Sequence, residues 1–189
     1  MYLKATQKTF WFSASFCLKG CEKMQRVVIL GCSGSGKSTL ARALGDKTGL
    51  PVVHGDRLFW HSGWVASTKA EIDEKLTAAA SEENWIIDGN YTRTLSDRVE
   101  RCDTIIFLDM PRWLCLLSVF KRFITSVGTV RPDMGEGCKE KIDWEFLTWI
   151  WNFNKTKRSM LCDLIKQHPD KEIYIFKSRK AVKTFLKNL

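Results

Sequence analysis

A glycine-rich segment between an apolar run and a helical run is the part of the sequence best suited to chemistry. Residues 31–39 read GCSGSGKST and match the phosphate-binding pattern GxxxxGK[ST]. Glycines permit close backbone approach, so consecutive N–H groups can point at phosphate oxygens, helped by the positive end of the following helix. The segment predicts a loop that binds a nucleoside triphosphate. The residues predicted to bind ATP are Gly31, Ser33, Gly34, Ser35, Gly36, Lys37, Ser38 and Thr39.

One hydroxyl and one carboxylate are predicted to organise Mg²⁺. Ser38 offers its hydroxyl from the loop, and Asp88 ends the apolar run Trp85–Asp88. Mg²⁺ prefers hard oxygen ligands and keeps several waters, so a carboxylate at the carboxyl end of a strand can hold it. Asp109 ends a second apolar run, but Met110-Pro111 follows it, and we expect it to cap the next helix.

Basic residues near the loop and farther along the chain are predicted to stabilise a phosphoryl group in transfer. Such a group spreads negative charge, which enzymes meet with Lys and Arg. Lys37 can reach the β- and γ-phosphates, and Arg122 lies on a predicted helix over 112–127. Arg131 follows in a glycine-containing segment, so we predict a mobile lid at about 121–141. Lys37, Arg122 and Arg131 are therefore the predicted catalytic residues.

Two predicted helices carry apolar surfaces that we expect to be packed. The helix over 112–127 has an apolar stripe opposite Arg122, and a second helix over 143–166 has a broader one, expected mainly in the core. The first stripe consists of Trp113, Leu116, Leu117, Phe120, Ile124 and Val127, and the second of Trp144, Phe146, Leu147, Ile150, Trp151 and Phe153.

Apolar runs of strand length alternate with helical patterns from Arg26 onward. The runs are apolar on consecutive residues, which is typical of parallel strands covered on both faces. Parallel strands need crossover connections, so the sequence predicts a three-layer α/β fold with a parallel five-stranded sheet. The predicted strands are Val27–Leu30, Pro51–His54, Trp85–Asp88, Thr104–Asp109 and Glu172–Phe176, and the predicted helices are Lys37–Leu44, Lys69–Ser81, Arg112–Val127 and Asp143–Lys166.

Length and composition are those of one globular domain. The chain has 189 residues, of which 44% are apolar and 27% charged, and no run approaches the ~20 apolar residues that span a bilayer. We therefore expect no membrane partner. Seven cysteines without a CxxC pair favour reduced thiols in the cytoplasm. The net charge of +9 suits a phosphate-bearing partner without choosing between nucleotide and nucleic acid.

Residues 1–23 are interpreted as an extension outside the fold. They are basic and aromatic and superficially resemble a secretory signal, but Lys19 stands where a lipoprotein cleavage box needs a small uncharged residue. Met24 directly precedes the first predicted strand. The hypothesis is that the native chain begins at Met24, with residues 24–189 forming the P-loop domain.

Several further motifs give the chain a family resemblance. The motifs are Gly31–Thr39, HGDRLFW at 54–60, WIIDGNYTRT at 85–94, IIFLDMPRW at 105–113, TVRPDMGEGC at 129–138, WIWNF at 149–153 and KSR at 177–179. With these motifs, the chain from about Arg26 to Leu189 resembles the bacterial P-loop proteins called DNA topology modulation (FlaR-related) proteins, which are similar in turn to adenylate kinases.

The resemblance implies sheet order 2-3-1-4-5 with a lid after the fourth strand. It places Asp88-Gly89 near the metal, Asp56 and Arg93 on the acceptor side, and Arg122 and Arg131 in the lid. Adenylate kinases follow Asp-Gly with a Phe-Pro-Arg turn, whereas here residues 90–92 come before Arg93. This departure puts a nucleoside monophosphate acceptor in doubt.

The function predicted from the sequence is a kinase, a monomer or a homodimer, that transfers the γ-phosphoryl of Mg·ATP to a small acceptor, with a nucleotide among the candidates. The alternative is a regulatory ATPase associated with DNA topology and bound to nucleic acid. That alternative predicts a continuous basic stripe, whereas the basic residues are scattered apart from the cluster Lys155, Lys157 and Arg158. The cluster is expected to be a solvated surface.

Overall fold

The computed structural model describes residues 24–125, 133–135, 137–138 and 143–189. The extension 1–23 and most of the predicted lid, with Arg131, lie outside these residues. In chain order the described elements are β1 (Arg26–Gly31), α1 (Lys37–Thr48), β2 (Val52–His54), α2 (Gly55–Phe59), β3 (Trp60–His61), β4 (Val65–Ala66), α3 (Lys69–Ala80), β5 (Trp85–Asp88), α4 (Leu95–Arg101), β6 (Thr104–Leu108), α5 (Arg112–Thr125), α6 (Trp144–Phe153), a π-helical turn (Asn154–Arg158), α7 (Ser159–Lys166), β7 (Glu172–Phe176) and α8 (Arg179–Asn188).

Five strands form a parallel sheet in the order β2-β5-β1-β6-β7. This numbering differs in detail from the predicted 2-3-1-4-5 because the hairpin β3–β4, which was not predicted, lies between β2 and β5 in the chain. The central strand β1 pairs with β5 and β6, and Asp88 lies opposite both Ile29 and His54. The carboxyl ends of β1, β2 and β5 therefore meet at one edge of the sheet.

The core is built around the three central strands. The apolar side chains of β1, β5 and β6 are buried along their whole length, as expected for strands covered on both faces. Helix α1 contributes Leu40, Ala41 and Leu44, and α3 contributes Ile72, Leu76 and Ala80. This rigid sheet supports the loops that follow β1, β2 and β5.

Four features were not predicted from the sequence, namely α2, the hairpin β3–β4, α4 and α8. Helix α2 has five residues and each hairpin strand has two, so neither is long enough to show a hydrophobic period. Helix α4 buries Leu95, Arg98 and Val99, and the charged residue within that face conceals its apolar pattern.

The expected packing of α5 is wrong for most of its apolar stripe. Trp113, Leu117, Phe120 and Ile124 are exposed, and the helix instead buries Cys115 and Val119. A Cβ on Gly34 would lie 2.4 Å from the Cys115 carbonyl oxygen. Only a face of smaller side chains allows this close approach to the glycine-rich loop, so the helix turns its large side chains outward.

The helical segment 144–166 is likewise only partly buried, and it contains the π-helical turn. Ile150 and Phe153 are in the core as expected, whereas Trp144 and Trp151 are exposed. Arg158 is only partly exposed, and its charge is paired. Its guanidinium donates to both oxygens of Asp109 at 2.7 Å, so Asp109 has an ion-pair partner in place of the expected capping role.

The described cysteines are free thiols. Cys32, Cys102, Cys115 and Cys138 are buried and Cys162 is half-buried. Among the described residues, none of the helices has the length and apolar character needed to cross a bilayer.

Candidate functional site

The loop between β1 and α1 has the tight backbone that its glycines predicted. Gly31 and Gly34 have φ angles of +146° and +77°, in the region that favours glycine. A Cβ on Gly31 would lie 2.7 Å from the Leu108 carbonyl oxygen. The loop is therefore packed closely on β6 and α5, and its shape is fixed by the surrounding backbone.

The amino end of α1 is open toward the loop. Gly36 is the N-cap with φ +102°, no side chain caps the helix, and its first turn contains no acidic residue. A Cβ on Gly36 would have nothing within 4 Å. The first N–H groups of a helix have no partner within the helix, so those of α1 are available to an anion in this open space.

The remaining loop side chains surround this space. Lys37 Nζ donates to the Cys32 carbonyl at 3.0 Å, so its charge lies over the loop. The Ser35 hydroxyl is buried and has no hydrogen-bond partner. Ser33 is half-buried and Thr39 is exposed. Lys37 is thus held where a phosphate would attract it, whereas Thr39 lies on the outer side of the helix.

The two predicted magnesium ligands are brought together. Asp88 is 3% exposed at the end of β5, and the Ser38 hydroxyl lies close enough to favour its ionised form. His54 Nδ1 lies 3.1 Å from Asp88 Oδ2 without hydrogen-bond alignment. Burial alone raises the pKa of Asp88, but His54, Ser38 and the charge of Lys37 together lower it below its usual value. Asp88 is therefore an ionised, buried carboxylate.

Asn90 hydrogen-bonds to the first residue of the predicted phosphate loop, and this role was not predicted from the sequence. Its Oδ1 accepts from the Gly31 N–H at 3.1 Å, and its Nδ2 donates to the Gly31 carbonyl at 2.9 Å. The available signal was its place two residues after Asp88, at the end of a strand adjacent to β1. Asn90 ties the loop after β5 to the loop after β1.

Arg98 holds the segment that follows β5 through hydrogen bonds, and this role was not predicted from the sequence. It is fully buried, and its Nη1 and Nη2 donate to the carbonyls of Gly89 and Tyr91 at 3.0 Å each. Desolvation lowers the pKa of Arg98 to about 10, against the opposing effects of nearby Tyr91 and Asp88. Its position between Leu95 and Val99 on one helix face was the signal that could have revealed it.

Asp56 and Arg93, the predicted acceptor residues, have separate partners. Asp56 Oδ1 accepts from the Tyr91 hydroxyl at 2.8 Å, and Arg93 Nε donates to Asp73 Oδ2 of α3 at 2.6 Å. The ring of Tyr91 lies against Gly55 and Gly89, where an added Cβ would meet it at 2.4 and 2.8 Å. Burial and the adjacent Asp56 carboxylate raise the pKa of Tyr91, so its hydroxyl stays protonated and donates.

The described end of the predicted lid segment lies against the hairpin β3–β4. A Cβ on Gly135 would be 1.9 Å from the Trp60 carbonyl oxygen, and Cys138 Sγ donates to the His61 carbonyl at 3.2 Å. Arg122 is in the last turn of α5 and is partly buried. Arg131, the second predicted lid arginine, is outside the described residues.

These residues fit Mg·ATP on structural grounds. Gly36 opens onto free space, the helix amides lack a capping side chain, and Lys37 supplies a cation. Asp88 Oδ2 is buried without a hydrogen-bond partner beside the Ser38 hydroxyl. Hydroxyl and carboxylate oxygens are the donors that Mg²⁺ prefers. The arrangement can bind a phosphate chain and a hard divalent cation side by side.

Solved structures of kinases share this architecture. Shikimate kinase from Bacteroides thetaiotaomicron matches with 19% identity and a TM-score of 0.51, over 87% of this chain and 95% of that chain. Shikimate kinase from Acinetobacter baumannii, in complex with shikimate, matches with 13% identity and a TM-score of 0.57, over 88% and 90%. A gluconokinase from Sinorhizobium meliloti 1021 is a weaker match, at 15% identity and a TM-score of 0.48, over 87% and 88%.

The two shikimate kinase matches show a P-loop kinase-like fold. At these identities they show the fold alone. No protein-family model matches the chain, and no curated protein matches it. The resemblance to the DNA topology modulation proteins therefore stays a prediction.

Proposed function

We propose that the protein is a cytoplasmic kinase that transfers the γ-phosphoryl group of Mg·ATP to a small acceptor. The observation that carries this proposal is the loop 31–39, whose open helix amides lie next to the Ser38 hydroxyl and the buried Asp88 carboxylate. The matched shikimate kinases are named for a small-molecule acceptor, and one was solved in complex with shikimate, which supports a small acceptor here.

Each loop residue has a role in this mechanism. The N–H groups of the loop and of α1 bind the phosphate chain, and Lys37 swings from the Cys32 carbonyl to the β- and γ-phosphates. Ser38 and Asp88 would hold Mg²⁺, which when bound neutralises charge on the β- and γ-phosphates. Asn90 and Arg98 keep the loops rigid, so the donor is positioned without reorganisation.

The predicted lid completes the proposal. We infer that the segment at about 121–141 covers the phosphates, with Arg122 and Arg131 stabilising the group in transfer. Contact between the end of this segment and the hairpin β3–β4 supports closure over the acceptor side.

Phosphorus NMR of the protein with Mg·ATP and pooled candidate acceptors tests the proposal. A new phosphorylated product is expected with the wild type. Its rate should fall by about 10²–10³-fold in Lys37→Ala, comparable to the loss of one transition-state donor elsewhere. Lys47→Ala, at the other end of α1, is the matched control and should keep the wild-type rate.

The same experiment separates the alternative function. Release of free phosphate that DNA stimulates, without a phosphorylated acceptor, would support the DNA-associated ATPase and contradict the kinase. A folded protein that binds Mg·ATP but yields neither product would contradict both.

A further inference from the structure

We propose that the acceptor is an uncharged, hydroxyl-bearing compound, such as a polyol or a nucleoside, and not a compound that already carries a phosphate. This inference rests on the proposed kinase function and deepens it. It follows from the charges and contacts of the residues on the acceptor side, which we define as α2, the segment 91–93 and the adjoining part of α3.

The acceptor side adjoins Ser38 and Asp88, the proposed metal-binding pair. His54 Nδ1 lies 3.1 Å from Asp88 Oδ2, and α2 begins at the next residue, Gly55. The Tyr91 ring covers both Gly55 and Gly89, and its hydroxyl donates to Asp56. Asp56 is exposed and therefore accessible to a ligand at the same edge of the sheet as Asp88. A group bound by Asp56 would lie near the phosphates of the donor.

The cation best placed to bind an acceptor phosphate is already neutralised. Arg93 Nε lies 2.6 Å from Asp73 Oδ2, and the Asp73 side chain is only 25% exposed. A phosphate could reach Arg93 only by displacing this carboxylate, or by lying next to it as a second anion. Both cost electrostatic energy, which is larger for a partly buried carboxylate than for a fully solvated one.

The other charges do not favour an anion either. Asp56 is a carboxylate and would repel an acceptor phosphate, while it accepts hydrogen bonds well from hydroxyl groups. Arg57 follows it on α2, but adjacent helical residues do not face the same direction. Asp56, Arg57, Asp73 and Arg93 together sum to zero charge. The balance of these four charges thus favours a neutral ligand.

A cluster of aromatic side chains, which we call the aromatic wall, includes Tyr91, the hydrogen-bond partner of the Asp56 carboxylate. The Phe59 ring lies 5.8 Å from the Tyr91 ring and 4.7 Å from Trp60, and the Trp60 and Trp64 rings are 5.2 Å apart. Aromatic surfaces pack against the apolar face of a sugar ring or a base. A carboxylate that accepts hydrogen bonds next to such a wall suits a hydroxylated ring.

Transfer of the γ-phosphoryl group to a hydroxyl acceptor is chemically balanced. The acceptor hydroxyl oxygen forms a bond to the γ-phosphorus while the bond from that phosphorus to the oxygen bridging the β-phosphate breaks. ADP leaves with the electron pair of the broken bond, and the hydroxyl proton passes to water. No other reactant is needed.

The test compares two acceptor pools with radiolabelled Mg·ATP. One pool contains neutral polyols and nucleosides, and the other contains nucleoside monophosphates and sugar phosphates. We expect labelled product from the neutral pool and none from the phosphorylated pool. Product from the phosphorylated pool at an equal or higher rate would overturn the inference.

Two variants separate a charge effect from a loss of folding. Asp73→Asn removes the partner of Arg93 and should increase AMP binding, measured by calorimetry, by up to about fivefold, since a partly exposed ion pair is worth about 1 kcal/mol or less. Asp56→Asn should lower turnover of the neutral acceptor while Mg·ATP affinity stays at the wild-type value, which also shows that the protein is folded. An unchanged AMP affinity in folded Asp73→Asn, or unchanged turnover in Asp56→Asn, would contradict the inference.

The kinase proposal fails in a different way. If the wild type binds Mg·ATP but phosphorylates neither pool, the proposed function itself is wrong, and the acceptor inference falls with it. If only the phosphorylated pool reacts, the kinase function stands and the acceptor inference alone is overturned.

Discussion

The side-chain amide of Asn90 makes two hydrogen bonds with the backbone of Gly31, at 2.9 and 3.1 Å. Gly31 is the first residue of the phosphate loop, and Asn90 follows the strand that ends in Asp88. The next residue, Tyr91, binds Asp56 on the acceptor side. One three-residue turn, supported by the buried Arg98, thus contacts the proposed donor loop and acceptor side and follows directly after Asp88, the proposed metal ligand.

Replacing Asn90 should weaken nucleotide binding. In Asn90→Ala both contacts to Gly31 are lost, and we expect the Kd for Mg·ATP to rise by about tenfold, since a net hydrogen bond is worth about 1 kcal/mol. Asn90→Asp can still accept from the Gly31 N–H but cannot donate to its carbonyl, so it should not restore the affinity. Calorimetric titration measures both, with Asn84→Ala as a control outside the site. Wild-type affinity in Asn90→Ala would contradict the assigned role.

Two glycines of the loop should differ in their tolerance of alanine. Gly34 and Gly36 both have positive φ angles, which costs an alanine about 1 kcal/mol in either position. Gly34→Ala adds a clash with the Cys115 backbone, whereas at Gly36 the space is empty. In urea denaturation, the free energy of unfolding should fall by about 1–3 kcal/mol more in Gly34→Ala than in Gly36→Ala. Equal losses would show that the loop and α5 are not packed as described.

Alanine at Gly135 should hinder closure of the predicted lid. Its Cβ would lie 1.9 Å from the Trp60 carbonyl oxygen, so the segment would have to move away from the hairpin β3–β4. We expect kcat to fall by about tenfold, within the range for misplaced closing elements, while Mg·ATP affinity is retained. Gly63→Ala is the control, because it strains the same hairpin without meeting any atom within 4 Å. A full wild-type kcat in Gly135→Ala would exclude a role for this contact.

Protonation of Asp88 should destabilise the protein in acid. Its pKa in the folded state is lowered from the usual 3.8, so its ionised form is stabilised by folding. That stability is fully present above pH 3.8 and is lost as the pH falls through the lower, folded-state pKa. The free energy of unfolding, measured by urea titration from pH 7 downward, should fall more steeply below pH 4 for the wild type than for Asp88→Asn. Identical dependence of the unfolding free energy on pH in the two proteins would contradict the lowered pKa of Asp88.

Much of the fold was predictable because the central strands obey a simple rule. Parallel strands covered on both faces must be apolar on consecutive residues, and β1, β5 and β6 are. The loop Gly31–Thr39 was equally clear, because its chemistry depends on backbone shape that only glycine allows. Ser38 and Asp88 were predicted as metal ligands from the preference of Mg²⁺ for oxygen, and the structure places them close together, while their binding of a metal stays a prediction.

The rest depended on contacts between distant parts of the chain. Nothing local in the sequence shows that Arg93 would pair with Asp73, twenty residues earlier, or that Arg158 would pair with Asp109. The outward face of α5 was missed because an apolar stripe is normally the buried one. Here the close approach of Gly34 to Cys115 decides which face is buried.

The most direct test is calorimetric titration of the folded protein with a non-hydrolysable ATP analogue in the presence of Mg²⁺. We predict saturable binding by the wild type and by Lys47→Ala, and binding at least about tenfold weaker in Lys37→Ala, since a charge-assisted contact to phosphate is worth about 1.5–3 kcal/mol. Absence of binding by the folded wild type, or unchanged affinity in Lys37→Ala, would contradict the assignment of residues 31–39 as a triphosphate-binding loop.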